Sequence, residues 1–148
     1  MAHDFELRRR VDFHETDMAG IVHFSNFFRL MESTEHEFFR SLGLSLHGTN
    51  EGRMYGFARV HASCDYLRPA HYQDLLAVRL RVIEKTKNSF SYALTFHRVD
   101  EDKDELEPEL LARGEMKVVC ITKGGDDERM RATRMPPDVA AAIEPAPA

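Results

Sequence analysis

The sequence predicts an α+β domain in which one long central helix is wrapped by a curved, five-stranded antiparallel sheet. A single strand comes first, a long helix follows, and four long strands and a short helix complete the order. The long helix is apolar over a wide arc, so a sheet must fold around it to cover it. We expect residues 1–143 to form this one domain and residues 144–148 to be a disordered tail.

Changes in the apolar period locate the first two elements. The first strand shows alternation, with apolar residues at Phe5, Leu7, Val11 and Phe13. From Ser25 the period becomes helical, with Ser25 as the expected N-cap and Gly43 as the stop. The helical repeat consists of Phe27, Met31, Phe38 and Leu42.

Four further strands are predicted at about 56–68, 74–86, 89–100 and 110–123. The intervening polar segments, 44–54 and 100–108, are predicted to be loops, and residues 124–128 an exposed turn. A short helix is expected after Pro136. A sheet of this size leaves an edge strand unprotected, which favours a homo-oligomer.

Composition excludes several classes of function. The formal net charge of −5 argues against a nucleic-acid-binding protein, because phosphate recognition usually needs a basic surface. Cys64 and Cys120 lie in apolar runs and are expected to be buried thiols. The N-terminus shows no signal-peptide pattern and no segment is apolar enough to span a membrane, so we expect a cytoplasmic protein with no membrane partner.

Asp17 is the candidate catalytic residue. It lies three residues before Gly20 and just ahead of the predicted long helix. A helix N-terminus presents unpaired N–H groups and the positive end of the dipole, which together can hold a developing oxyanion. An aspartate at such a place can also form only an Asx-type turn or a helix cap, and this second interpretation stays open.

The stretch from Asp17 to Phe28 contains the pattern Asp-x-x-Gly-x-Val, followed two residues later by Ser-Asn-Phe. This pattern resembles that of the hotdog-fold thioesterases, specifically the 4-hydroxybenzoyl-CoA thioesterase-like family. The resemblance implies that Asp17 acts as nucleophile or general base on a thioester, with Gly20 beside it. It also implies that the backbone N–H of Phe24 polarises the thioester carbonyl.

The same resemblance implies an acyl-CoA substrate, no cofactor and a tetramer built from two dimers. Lys87 and Arg131 fall where the family contacts the nucleotide end of coenzyme A, with Asn88 next to Lys87 in the same turn. His23 and Asn26 are implied substrate contacts. His23 could instead be an acid–base partner or simply line the pocket.

Glu35 is the second candidate acid, because it projects onto the apolar face of the helix at about 80° from Phe27. Its alternative role is an ion pair with Arg or His in the core or at an interface. Glu32 and His36 have the i,i+4 spacing of a metal pair, but no third ligand is evident and no metal site is predicted.

The predicted function is hydrolysis of a short-chain or aromatic acyl-CoA thioester. Two alternatives are a hotdog acyl-CoA hydratase or dehydratase, and a non-enzymatic module that binds acyl-CoA. The acyl group is not specified by the sequence, because pocket depth depends on strand register. The aromatic candidates for the pocket lining are Phe13, Phe24, Phe27, Phe28 and Tyr66.

Overall fold

The computed structural model describes residues 1–102, 108–123 and 129–148. A 3-10 helix, Phe13–Glu15, precedes the long helix. The predicted turn at 124–128 and residues 103–107 of the predicted loop lie outside the described residues. In chain order the main elements are β1 (Asp4–Arg10), α1 (Phe24–Ser41), β2 (His47–Asn50), β3 (Arg53–Tyr66), β4 (Leu75–Lys85), β5 (Ser89–Val99), β6 (Glu109–Lys123), β7 (Met130–Ala132) and α2 (Pro137–Ala142).

One antiparallel sheet contains the described strands in the order β1-β4-β5-β6-β3-β2, and β7 pairs with β6. The long helix α1 packs against β1, β3 and β4. The predicted fold class is therefore confirmed. The predicted number of five strands is wrong, because β2 and β7 bring the total in the described residues to seven.

The additional strand β2 lies in the segment 44–54, which was predicted to be a loop. Glu51 and Gly52 have φ angles of 53° and 78°. Two consecutive residues with positive φ form the type I′ turn that suits a two-residue hairpin. Asn50 and Arg53 therefore pair across the turn, and β2 continues for only four residues.

The buried face of α1 forms the centre of the core. Its buried side chains are Asn26, Phe27, Leu30, Met31, Thr34, Glu35, Phe38 and Phe39. Gly114 in β6 makes room for this face, because a Cβ atom there would lie 2.5 Å from Sδ of Met31. The helix therefore approaches the sheet more closely than a larger residue at position 114 would allow.

Both ends of the chain differ from the predictions. β1 ends at Arg10, and Phe13 instead begins the 3-10 helix with a side chain that is 74% exposed. In the tail predicted to be disordered, Glu144 N–H donates to the carbonyl of Ala2 at 3.0 Å. Ala146 N–H donates to the carbonyl of Val82 at 2.8 Å, so the tail is hydrogen-bonded to the domain as far as residue 146.

The outer edge of β3 is covered only near its start. β2 pairs with Arg53–Gly56, and Phe57 N–H donates to the carbonyl of Leu46. From Ala58 to Tyr66, no other described strand pairs with this edge. An open edge of this length is a surface on which another strand can add.

None of the described helices is long and apolar enough to cross a membrane.

Candidate active site

A tight turn holds Asp17 at the rim of a cavity. Asp17 N–H donates to the carbonyl of Ile21 at 2.9 Å, and Gly20 N–H donates to the carbonyl of Asp17 at 3.0 Å. Gly20 has a φ of 80°, which glycine adopts without strain, so Gly20 forms the turn. Oδ1 of Asp17 accepts a hydrogen bond from Ala19 N–H at 2.8 Å. The Asx-type turn is therefore present, and the side chain of Asp17 is nevertheless exposed at the cavity.

The helix α1 begins at Phe24, and its N-cap is His23 rather than the expected Ser25. Nδ1 of His23 accepts a hydrogen bond from Ser25 N–H at 3.3 Å and so caps the helix. Asn26 N–H donates to the carbonyl of His23. The Phe24 N–H has no acceptor among the described residues, and it lies at the positive end of an 18-residue helix.

The carbonyl oxygen of Glu15 fixes the start of α1 to the 3-10 helix. It accepts from His23 N–H at 2.9 Å and from the side-chain amide of Asn26 at 2.8 Å. Asn26 is buried and its amide nitrogen is directed at Glu15, so the contact that the structure gives it is internal. The segment that carries Asp17 is therefore held at both of its ends against the helix.

The carboxylate of Glu15 is itself well supported. It accepts hydrogen bonds from Arg9 and from Asp12 N–H. Burial disfavours its charge, but these two donors outweigh burial and keep the pKa of Glu15 below its usual value. Glu15 is therefore ionised at neutral pH and acts as a fixed support for the site.

A cavity of about 430 Å³ lies between the Asp17 turn, the start of α1 and the segment after β3. Its size is in the range of small-molecule sites, and most of its walls are apolar. The cavity brings together the predicted catalytic pair, Asp17 and Phe24. The full lining is Asp17, Ile21, Val22, Phe24, Phe27, Tyr66, Leu67, Arg68, Pro69 and Ala70.

A larger hollow of about 620 Å³ beside Arg10 and Arg98 is a weaker candidate. Its charged groups pair with one another, as Arg10 does with Glu101 at 2.9 Å and Arg98 with Asp74 at 3.1 Å. Among the described residues that line it, none belongs to a helix N-terminus. Size alone therefore does not identify the site, and the smaller cavity is chemically better equipped.

Of the predicted aromatic lining, three residues are in place. Phe24, Phe27 and Tyr66 line the cavity, whereas Phe13 and Phe28 do not. The ring of Tyr66 meets the ring of Phe27 edge-to-face at 5.1 Å. Burial raises the pKa of Tyr66 to about 12, so the phenol is protonated and its hydroxyl donates to the carbonyl of Phe24 at 2.9 Å.

Glu35 lies in the core and not at the cavity. It is fully buried, and its Oε1 accepts a hydrogen bond from Arg59, which also pairs with Glu32 at 3.3 Å. Its Oε2 and the hydroxyl of Tyr92 are buried, and neither forms a hydrogen bond of normal geometry among the described residues, although the two groups interact electrostatically with each other. Burial raises the pKa of Glu35 and, further, that of Tyr92. The expected alternative, a core ion pair with an arginine, is confirmed.

The predicted coenzyme A contacts lie at the other end of the sheet. The carbonyl of Lys87 accepts from Met135 N–H at 3.0 Å, which brings the β4–β5 turn beside the segment after β7. Lys87 and Arg131 are both exposed there. The Asn88 side chain accepts a hydrogen bond from the Thr86 hydroxyl at 3.0 Å, so Asn88 stabilises the turn.

The separation of the two ends can be read along β6. Tyr66 at the cavity pairs with Ala112, and the carbonyl of Asn88 accepts from Cys120 N–H. Eight residues of extended strand span roughly 26 Å. Asp17 and Lys87 of one chain are thus at opposite ends of the sheet.

No group of three His, Cys, Asp or Glu side chains in the described ranges could hold a metal ion. Cys64 and Cys120 are free thiols, and burial raises the pKa of each to about 11. Both therefore remain protonated near neutral pH and are weak nucleophiles.

Sequence reasoning missed two features of the site. The first is Glu15, whose carbonyl and carboxylate hold the helix start through contacts that no spacing rule reveals. The second is the segment 67–70, which follows β3 and forms one wall of the cavity. Pro69 was the available signal for it, because proline ends strand pairing and marks a turn or loop.

The chain is similar to known thioester-cleaving proteins over most of its length. The family model described as "Thioesterase-like superfamily" matches residues 11–143. A 4-hydroxybenzoyl-CoA thioesterase from Pseudomonas is 27% identical over 141 residues, which cover 93% of this chain and 96% of that relative. A 1,4-dihydroxy-2-naphthoyl-CoA hydrolase from Synechocystis is 29% identical over 117 residues, which cover 79% and 80%.

Among solved structures, that of a 1,4-dihydroxy-2-naphthoyl-CoA thioesterase from Synechocystis has a TM-score of 0.77 and 25% identity. The superposition covers 94% of each chain.

Proposed function

Because this chain belongs to the thioesterase-like superfamily and is a thioester hydrolase, we propose that it cleaves aromatic acyl-CoA thioesters with Asp17 as its catalytic carboxylate. One observation carries this proposal. The exposed carboxylate of Asp17 lines the same cavity as Phe24, whose N–H has no acceptor among the described residues. A carboxylate and an oxyanion donor around one reacting carbon are the groups that acyl transfer requires.

The chemistry follows from these two groups. Asp17 either attacks the thioester carbonyl carbon, forming an anhydride that water then cleaves, or takes a proton from the attacking water. In both routes the carbon–sulfur bond breaks and the CoA thiolate leaves and takes up a proton. The carbonyl oxygen gains negative charge in either case, and Phe24 N–H donates to it. The reaction needs no cofactor, so the proposal includes none.

An aromatic acyl group suits the walls of the cavity. Phe24, Phe27 and Tyr66 present ring faces and edges against which a planar ring can pack. The relatives named above act on hydroxybenzoyl and dihydroxynaphthoyl thioesters. We therefore expect benzoyl-type substrates to be preferred over short alkyl ones. His23 stacks on the Phe24 ring at 4.5 Å and caps the helix, and we propose it as a support with no role in proton transfer.

We also propose that the active enzyme is a homo-oligomer with a site shared between subunits. The open edge of β3 from Ala58 to Tyr66 can pair with the same edge of a second copy, which continues the sheet. Antiparallel pairing about a two-fold axis would bring the Lys87 end of one chain toward the Asp17 end of the other. Coenzyme A, which carries phosphate groups, could then span both, with Lys87 and Arg131 as cationic contacts. A tetramer of two such dimers and a cytoplasmic location stay predictions.

The test is thiol release from a panel of benzoyl-, 4-hydroxybenzoyl-, acetyl- and hexanoyl-CoA. Asp17→Asn should lower kcat by roughly two to four orders of magnitude while the protein remains folded. Asp12→Asn is the matched control, because Asp12 is exposed, belongs to the same segment and does not line the cavity. Near-normal turnover by Asp17→Asn would remove Asp17 from the mechanism.

The panel also separates the alternative functions. A hydratase would change the acyl chain without releasing thiol, and a binding module would bind all four compounds and release none. Sedimentation of the active protein tests the assembly. A monomer that hydrolyses the thioester at full rate would contradict the shared site.

A further inference from the structure

We propose that Tyr66 is a positioning residue that holds the Phe24 N–H where the thioester oxygen develops its charge. This inference rests on the proposed function and deepens it. Tyr66 is the last residue of β3, and Phe24 is the first residue of α1. The hydroxyl of Tyr66 donates to the carbonyl of Phe24 at 2.9 Å, across 42 residues of sequence.

The start of α1 has few other anchors on this side. On the opposite side, His23 N–H and the Asn26 amide both bind the carbonyl of Glu15. On the cavity side, Tyr66 donates a hydrogen bond to the Phe24 carbonyl. Within the described residues, it is the only donor to this carbonyl from outside the helix. Helix ends fray unless such contacts hold them, because the first N–H groups have no partner inside the helix.

The ring of Tyr66 packs against other aromatic rings. It contacts Phe27 edge-to-face at 5.1 Å, and Phe27 in turn contacts Phe96 of β5 at 5.0 Å. Phe27 and Phe96 are both buried, so this row of rings connects Tyr66 to the core. The phenol therefore links the sheet to the first peptide of the helix.

Small errors in this position matter for catalysis. An oxyanion donor must lie about 2.7–3.1 Å from the charged oxygen, and a displacement of 1 Å can cost on the order of a hundredfold in rate. Substrate binding depends on the cavity walls and on coenzyme A contacts elsewhere. Loss of the hydroxyl should consequently lower kcat and leave KM nearly unchanged.

The experiment compares Tyr66→Phe with Tyr55→Phe, using 4-hydroxybenzoyl-CoA as the substrate. Tyr55 lies in the same strand, and its hydroxyl donates to the carbonyl of Ser45 at 3.3 Å, so the same group is removed far from the cavity. We expect Tyr66→Phe to lower kcat about three- to tenfold with KM within about twofold. Tyr55→Phe should retain both constants.

Hydrogen exchange provides a second measurement that does not require turnover. The amides of the first helical turn, residues 24–28, should exchange faster in Tyr66→Phe than in the wild type or in Tyr55→Phe. A wild-type kcat together with unchanged exchange in Tyr66→Phe would overturn the inference. A rise in KM alone would also overturn it, because it would make Tyr66 a substrate contact. Failure of the wild type to release thiol would instead count against the proposed function.

Discussion

Replacing Glu35 by Gln tests whether burial or the Arg59 ion pair dominates the energetics of the acid inside the core. Gln has nearly the same shape as Glu, so the substitution removes the charge and keeps the packing. Oε1 of Glu35 accepts from Arg59, while Oε2 forms no hydrogen bond of normal geometry in the described part of the chain. Arg59 keeps Glu32 at 3.3 Å and has a side chain that is 29% exposed, so it is not left as an isolated buried charge.

The size of the effect follows from these contacts. Leaving a buried charge without its partner costs about 3–5 kcal/mol, but the exposure of Arg59 and its second acid make that figure too large here. The remaining loss is the weakening of one charge-assisted hydrogen bond to a neutral one, about 1 kcal/mol. Removal of the buried carboxylate charge opposes even this loss. We expect the free energy of unfolding of Glu35→Gln to lie within about 1 kcal/mol of the wild type near pH 7.

The pH dependence has a definite sign. Burial raises the pKa of Glu35 above its ordinary value despite Arg59. The folded protein therefore binds more protons than the unfolded chain above that ordinary value, and its free energy of unfolding falls as pH rises through the folded pKa. Below the ordinary pKa both states are protonated and this loss is absent. The Glu35→Gln variant has no such titrating group, so its free energy of unfolding should rise relative to that of the wild type as pH rises.

Urea unfolding at fixed protein concentration, over a series from about pH 4 to about pH 8, measures this difference. Glu32→Gln is the matched control, because Glu32 shares Arg59 but is exposed, and it should show no such trend. If the free energy of unfolding of the wild type instead rises relative to that of Glu35→Gln with increasing pH, attraction to Arg59 exceeds the cost of burial and the reasoning is wrong. Turnover should persist in Glu35→Gln, because Glu35 does not line the cavity.

Three other substitutions test separate features of the structure. Gly114→Ala should lower the free energy of unfolding, measured by urea unfolding, by about 1–3 kcal/mol, because the new Cβ would meet Sδ of Met31. Adding Met31→Ala to the same chain should relieve that clash. Asn26→Asp should lower both the melting temperature and kcat, because a carboxylate would face the carbonyl of Glu15, whereas a rise in KM alone would indicate a substrate contact. Lys87→Gln should raise KM for acyl-CoA about two- to fivefold. The KM for an acyl thioester of N-acetylcysteamine, which has no phosphate, should stay unchanged.

The elements that could be predicted from the sequence are the long ones with a sustained period. The helix found at Phe24–Ser41 and the strands β3 to β6 agree with the predicted ranges to within a few residues. In the helix and in β4 to β6, burial on one face imposes the period, so eleven or more residues leave a clear pattern. β2 and β7, with four and three residues, are too short to show alternation. Position 13 continues the alternation of β1, but pairing with β4 ends at Arg10.

The site was predictable where it depends on neighbouring residues in sequence. Asp17, Gly20 and Phe24 are close along the chain, and the turn and helix start bring them to one rim. The contact of Tyr66 with Phe24 spans 42 residues and depends on how β3 registers against the helix, which no local pattern specifies. His23 was not expected as the N-cap because Ser is a much commoner cap than His.

The stretch from Asp17 to Asn26 behaves as one structural unit in which most residues serve geometry and few serve chemistry. Gly20 forms the turn, His23 caps the helix and Asn26 fixes the helix start to Glu15. Asp17 and Phe24 each combine a position at the cavity with a group suited to the proposed reaction. In the proposed mechanism, the spacing of this stretch places one carboxylate and one N–H around a single carbonyl. Substitutions at the geometric positions should therefore affect rate and stability together, whereas Asp17→Asn, which keeps an acceptor for Ala19 N–H, should affect rate alone.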